Sequence, residues 1–310
     1  KDKLLDILRK DDWYGLLIPQ NHLEINSIAK LEAATDYAVM ALKSYMDKFF
    51  KYEKERWEVP RLEYAILDAD NSNFVDEYTL TYAQQSAMDP KGDELDAFVA
   101  EMSAVLQANN GLDVYKKNFF RGKLVLFDFR SHLYAPLICL EKSNLKIQLA
   151  PVALNTDEMR FVDYLKSYVD DHAAELAGKS LYLLRNKSKV GMGFFEAGNF
   201  YPDYILWIDT PATQYISFID PKGLMHIRPD DPKIEFHKTI KDLETRLSPT
   251  ADGKRIVLNS FIMAGTRSSD LRMWWSTPEV DADRAYREAR NVYTLDNDEC
   301  VESMMRKILQ

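Results

Sequence analysis

The fold is decided by the stretch Phe200-Tyr-Pro-Asp-Tyr-Ile-Leu-Trp-Ile208, then Asp209-Thr-Pro-Ala-Thr-Gln214, then Tyr215-Ile-Ser-Phe-Ile-Asp-Pro-Lys-Gly223. Two strongly apolar strands flank a turn built on Pro211-Ala212. The first strand, read over Tyr201 to Ile208, is apolar on both faces, as a strand inside a sheet must be. Pro202 stands at the strand's start, where a missing N–H is tolerated. An antiparallel hairpin centred on Pro211-Ala212 pairs Ile208 with Tyr215 and sets Asp203 opposite Asp220. Directly opposed residues point to one face, with Cβ atoms about 4.5–5.5 Å apart. Lys222, two residues beyond Asp220, shares that face. A one-residue slip would destroy the juxtaposition, so it depends on the turn.

Two carboxylates opposed at the end of an apolar hairpin repel one another. A divalent cation is the natural compensator, and hard oxygen ligands suit Mg²⁺, which keeps several waters. The Lys222 ammonium is placed to orient a nucleophilic water or to stabilise negative charge developing on a phosphoryl group. The competing reading makes Asp203 a strand-end cap and Asp220–Lys222 a surface ion pair.

Working outward, Leu154 to Leu176 reads as a helix with Glu158, Val162, Leu165, Val169 and Leu176 on one stripe. Glu158 therefore opens a buried face and is a candidate to point into the same site. Asn155-x-x-Glu158 also has the form of a capping box, and the two roles are compatible. Leu181 to Arg185 reads as a strand, Ile234 to Leu247 as a helix, Arg255 to Ala264 as a strand and Asp298 to Leu309 as a closing helix. Gly191, Gly193 and Gly198 do not make a dinucleotide fingerprint and are read as turn residues; no phosphate-binding P-loop is present.

The first half of the chain differs. Leu31, Ala34, Ala38, Leu42, Tyr45, Phe49 and Tyr52 recur at helical spacing along one long amphipathic helix, roughly Ser27 to Trp57. Its basic tail and Pro60 mark the end. A short helix is expected over Lys1 to Trp13, strands over Arg61 to Ala83, a helix over Asp93 to Asn109, and strands over Lys123 to Phe129 and Leu133 to Ala150. The expected architecture is thus a mixed α/β linker or assembly region over 1–150, followed over 151–310 by an α/β domain with a mixed sheet flanked by helices.

Among 310 residues, 40 Lys and Arg face 49 Asp and Glu, a net charge of −9. Such a chain is a poor non-specific binder of polyanions, so nucleic-acid contact would need a local basic patch. Arg185, Lys187 and Lys189 form one such cluster just before the hairpin. Lys116, Lys117, Arg121, Lys123 and Arg130 form another, read as a solvated face. Cys139 and Cys300 have neither disulfide-framework nor metal-ligand spacing, as expected of a reducing, cytoplasmic setting. The five histidines show no zinc pattern. No apolar run approaches the roughly 18 residues a membrane span needs. The opening Lys1-Asp2-Lys3 lacks both a secretory pattern and a Met, as expected of a piece of something longer or of processing.

Pro202-Asp203, followed on the next strand by Asp220-Pro221-Lys222, resembles the PD-(D/E)XK nuclease signature. Three surrounding segments are similar to the C-terminal nuclease region of DEAD/DEAH helicase–restriction polypeptides akin to type III restriction subunits. They are Gly193-Phe-Phe-Glu-Ala-Gly-Asn-Phe-Tyr-Pro-Asp-Tyr-Ile-Leu-Trp-Ile, Phe218-Ile-Asp-Pro-Lys-Gly-Leu, and Leu154-Asn-Thr-Asp-Glu-Met-Arg-Phe-Val. The resemblance covers about residues 154–223 and, more weakly, 15–58. It implies a restriction-endonuclease-like fold and a Mg²⁺-dependent endonuclease, with Mn²⁺ as substitute, cutting double-stranded DNA. Asp203, Asp220 and Glu158 would hold the metal and Lys222 would assist the water; Arg185, Lys187 and Lys189 are expected to contact DNA because their cluster precedes the hairpin by only a short connection. No helicase motif is present, so the chain would be the cleavage end of a larger ATP-dependent protein defending against foreign DNA. The alternative is a non-catalytic DNA-positioning or docking module that keeps the nuclease fold. A two-carboxylate glycosidase fits poorly, because Lys222 would depress rather than raise the pKa of a catalytic acid.

Overall fold

A computed structural model describes residues 24–58, parts of 67–82, 92–107, 114–119, 122–141, 147–187, 200–225, 227–275 and 283–310. The helix expected at 1–13 and the glycines at 191, 193 and 198 lie outside them. The chain divides into two units, Lys1–Ile66 and Leu67–Gln310.

In the first unit, α1 runs over Ile28–Glu58. Ser27 starts it, its hydroxyl accepting from the Lys30 N–H at 3.3 Å, and Arg56 sits in the last turn, where a cation suits the helix dipole. Much of the apolar stripe is exposed, including Leu31, Leu42 and Phe49.

The second unit is a mixed α/β structure. It contains β1 (Thr79–Tyr82), α2 (Gly92–Gln107), β2 (Val114–Phe119), β3 (Gly122–Phe127), β4 (Leu137–Glu141), β5 (Ile147–Ala150), α3 (Thr156–Asp171) and β6 (Ser180–Arg185). There follow β7 (Tyr204–Asp209), β8 (Thr213–Lys222), α4 (Pro232–Glu244), β9 (Arg255–Ala264), α5 (Ser268–Trp274), α6 (Asp283–Glu288), β10 (Val292–Thr294) and α7 (Glu299–Ile308). Five strands form the main sheet in the order β10-β9-β8-β7-β6. The β6–β7–β8 part is antiparallel and the β8–β9–β10 part parallel, with α4 as the crossover between β8 and β9. Strands β2–β3–β4 make a separate antiparallel sheet, and β1 pairs with β5. Strand β2 was not anticipated, because Lys116 and Lys117 read as a polar cluster rather than as part of a hairpin with β3.

The main sheet is covered on both faces. Phe161, Val162 and Leu165 of α3 and Val301, Met304 and Met305 of α7 share one core with Leu206, Ile219 and Phe261. That core also takes in Val125 and Phe127 of β3 and Leu137 and Cys139 of β4. On the opposite face Phe236, Ile240 and Leu243 of α4 pack against Ile205, Phe218, Ile256 and Leu258. Adjacent residues Phe218 and Ile219 thus serve opposite cores, as the period of two requires. Short β10 pairs only with Ile262–Ala264 of β9. Lower on that edge, side chains of α4 take the strand's place: Glu244 Oε2 accepts the Leu258 N–H at 2.8 Å, and Lys241 Nζ donates to the Leu258 carbonyl at 2.5 Å. Both cysteines are buried and unbonded to each other. Among the described residues no helix is long and apolar enough to cross a membrane.

Candidate active site

The β7–β8 hairpin has the register read from its turn. Ile208 pairs with Tyr215, and the ladder runs to Tyr204 opposite Ile219. The turn is closed by Thr210, whose N–H donates to the Thr213 carbonyl at 2.9 Å and whose hydroxyl accepts from the Thr213 N–H at 2.9 Å. Asp203 and Asp220 therefore meet one step beyond the ladder, close enough for the charge of Asp220 to act on the Asp203 carboxyl.

Each is held from behind. Asp220 lies within β8 beside Ile262 of β9 and is only 4 % exposed. Asp203 is fixed through its backbone by Asn186, which follows β6. The Asn186 N–H donates to the Asp203 carbonyl at 2.7 Å, and its side chain donates to the Pro202 carbonyl at 2.9 Å. Lys222 Nζ lies 2.6 Å from Asp220 Oδ2. The three groups line an open cleft of about 480 Å³ together with Asn155, Asp157 and Tyr201.

Burial, then the Asp220 charge, raises the Asp203 carboxyl to about 8; the Glu158 charge adds to this and Lys222 opposes it. In the absence of a cation the pair thus holds a proton at neutral pH. A second lysine, Lys233 in the first turn of α4, stands against Lys222. Burial and then the Lys222 charge lower its affinity for a proton, while Asp220 acts the other way.

Glu158 is placed differently from its neighbour Asp157. Its carboxylate completes the capping box, Oε2 accepting the Asn155 N–H at 2.8 Å while Asn155 Oδ1 accepts from Glu158 N–H at 2.9 Å. It is 6 % exposed and faces Arg185, whose Nη2 lies 3.1 Å from Oε2. The guanidinium also donates to the Val152 and Ala153 carbonyls. Arg185 is therefore turned inward and does not offer its charge to a surface ligand, as its place in a basic cluster suggested. Its own N–H donates at 3.0 Å to His132 Nε2. That bond requires the neutral tautomer with Nδ1–H directed at the Tyr134 carbonyl 2.7 Å away, and burial lowers His132 to about 4. Lys187 is partly exposed, its N–H bonded to Asn73 Oδ1 at 2.8 Å. Lys189 lies outside the described residues.

Asn186, Asp157, Tyr201 and Lys233 were missed in the sequence. Asn186 and Lys233 have no local signal, since each reaches the site from a separate element, whereas Tyr201 and Asp157 adjoin Asp203 and Glu158 in sequence. Another unforeseen feature is Gly265, just past β9: a Cβ built on it would overlap the Asp157 carboxylate.

The donor set suits a hard cation in part. Asp203 and Asp220 are adjacent oxygen donors whose mutual repulsion a cation would relieve. Among the described residues, however, no three His, Cys, Asp or Glu side chains converge on one point, and Glu158 is committed to Arg185 and its helix cap. Comparison of the chain with known protein families, with curated proteins and with solved structures found no match.

Proposed function

We propose that the cleft between β7 and β8 hydrolyses DNA phosphodiester bonds with the help of Mg²⁺. The observation that carries this reading is the pairing of half-buried Asp203 with buried Asp220, with Lys222 Nζ 2.6 Å from Asp220, opening on a cleft. Asp203 and Asp220 would hold the ion, its remaining positions left to water and substrate. When bound, Mg²⁺ would polarise the phosphoryl oxygen and lower the pKa of a coordinated water. Lys222, oriented by Asp220, is positioned to direct a water or to meet negative charge growing on the phosphoryl oxygens. Asn186 keeps Asp203 in register. The Glu158–Arg185 pair anchors the start of α3 behind it, so Glu158 acts in this reading as a support rather than an outer ligand. With Arg185 turned inward, Lys187 is the described member of its cluster left to meet DNA.

The likeness of residues 154–223 to helicase–restriction polypeptides supports a wider reading. In it the chain is the cleavage end of a larger ATP-dependent defence protein acting on double-stranded DNA in the cytoplasm. The second reading, a non-catalytic DNA-positioning or docking module, is favoured by one observation: the third carboxylate of the expected ligand set is already saturated by Arg185 and the Asn155 N–H.

Calorimetric titration with Mg²⁺ or Mn²⁺ separates the two, together with a plasmid-cleavage assay on wild type and Asp203→Asn. Metal binding and nicking that are both lost in the variant support the nuclease. Wild-type protein that binds DNA but neither metal leaves the docking module as the better reading.

A further inference from the structure

A second cavity, of about 400 Å³, opens near the start of β8, between α4, the first half of β9 and the end of α7. It is set apart from the carboxylate cleft: Tyr215 lines it, and the seven residues from there to Lys222 span about 23 Å of strand. Its lining carries Lys241, Arg255, Lys307 and His237 and no Asp or Glu. In a chain of net charge −9, a cavity walled by one sign of charge concentrates anions.

The cations are only partly spent inside the protein. Lys307 Nζ donates to the Glu288 carbonyl at 2.8 Å and forms no ion pair among the described residues. Arg255 is largely exposed and stands 3.6 Å from Glu244. Lys241 is the exception, committed to Glu244, the Leu258 carbonyl and Asn259 Oδ1.

Two residues that line the cavity each carry an amide atom without a hydrogen-bond partner. Asn259 Nδ2 and Asn291 Oδ1 are buried and have no hydrogen-bond partner. Neither amide gains by flipping. Asn259 Oδ1 accepts from Lys241 at 3.2 Å, and a flip would set an NH₂ against the ammonium. Asn291 Nδ2 donates to the Ser260 carbonyl at 2.9 Å, and a flip would oppose two oxygens. Asn291 is 7 % exposed and stands in the left-handed region at φ 55°. The orphans are thus one donor and one acceptor. His237 adds a second acceptor at Nε2 when neutral, because Nδ1–H is directed at the Ile234 carbonyl 2.6 Å away.

Cations only partly spent inside the protein and an amide donor match the oxygens of a phosphate. The two acceptors match hydroxyl groups on whatever carries it. We propose that this cavity binds a phosphomonoester of a hydroxyl-bearing molecule of mononucleotide size. The phosphate would lie towards Lys307, Arg255 and Asn259, and the hydroxyls towards Asn291 and His237. The same chemistry is offered by a free nucleotide and by the 5′-phosphorylated end of a strand.

The test is calorimetric titration of the full chain with AMP, adenosine and inorganic phosphate, and with a short oligonucleotide bearing either a 5′-phosphate or a 5′-hydroxyl. AMP is expected to bind at least tenfold more tightly than adenosine. Lys307→Gln and Arg255→Gln are each expected to weaken AMP at least tenfold, and Asp203→Asn to leave it unchanged. Arg255, being exposed, carries the test should Lys307→Gln not fold. Preference for the 5′-phosphorylated strand, lost in these variants, identifies the source as a strand end; equal binding of the two strands identifies a free small molecule. The proposal is overturned if AMP and phosphate give no heat beyond chloride at matched ionic strength, or if AMP binds the folded variants as it binds wild type.

Discussion

Replacing Asp203 by Asn should make the metal-free protein more stable, by an amount that grows as pH rises above about 4. The neutral amide mimics the protonated carboxyl that the folded protein holds, with its value raised by burial and by Asp220 to about 8. An unfolded Asp titrates near its ordinary value of about 4. Between those limits the folded state keeps a proton that the unfolded state has lost, so wild-type stability falls as pH rises from about 4 through about 8. The whole gap corresponds to about 6 kcal/mol at roughly 1.4 kcal/mol per pH unit. The cleft is open to solvent, and screening there leaves about 2–3 kcal/mol as the expected loss. The Asn variant lacks this titration. It should match wild type near pH 4 and exceed it by about 2–3 kcal/mol at pH 9, provided EDTA is present. Urea denaturation at pH 4, 6, 7.5 and 9 measures the difference directly, with an unchanged m-value as the check on two-state behaviour. Parallel stability curves for wild type and variant would refute the reasoning, because they would mean that Asp203 is ionised in the fold across this range.

Asp220→Asn should abolish nicking and the stabilisation by Mn²⁺, while changing metal-free stability by no more than about 2 kcal/mol, since relief of its repulsion with Asp203 offsets the lost ion pair with Lys222; a variant that still cuts and still gains stability from Mn²⁺ excludes this hairpin. Arg185→Met strands the buried Glu158 carboxylate and should cost about 3–5 kcal/mol in urea denaturation, with much of it recovered by adding Glu158→Gln; a loss below about 1 kcal/mol would show that the pair is solvated. Gly265→Ala should destabilise the end of β9 by pushing Asp157 aside, and Asp157→Gly should rescue it, with a coupling of about 1 kcal/mol or more in a double-mutant cycle; additive effects would show that Asp157 moves freely.

The parts of this site legible in the sequence are those that follow local rules. Pro211-Ala212 between two apolar strands sets a turn, the turn sets the register, and the register brings Asp203 to Asp220. Asn155 three residues before Glu158 announces the capping box that the structure contains. Local rules do not show what fills the space behind a residue. Arg185 looks like one of three surface cations, yet its side chain is turned inward because Glu158 and two carbonyls of the segment before α3 await it there. Asn186 gives no sign that its amide will hold the backbone at Pro202. Lys233 reaches Lys222 only because α4 begins beside the end of β8. The contact between Gly265 and Asp157 joins residues more than a hundred positions apart, and its only trace in the sequence is the absence of a side chain.

The side-chain bonds of Glu244 and Lys241 to Leu258 bear on how the molecule avoids its own copies. Because β10 stops after three residues, the lower edge of β9 would otherwise present a row of unsatisfied donors and acceptors to any extended segment nearby. A carboxylate and an ammonium from α4 imitate the two groups that an incoming backbone would supply, and they arrive intramolecularly, at no cost in concentration. The helix that carries the parallel crossover is therefore also a stopper against sheet growth. Folding that docks α4 late would leave this edge open for a time, and in that interval the chain would be most liable to recruit another of its kind.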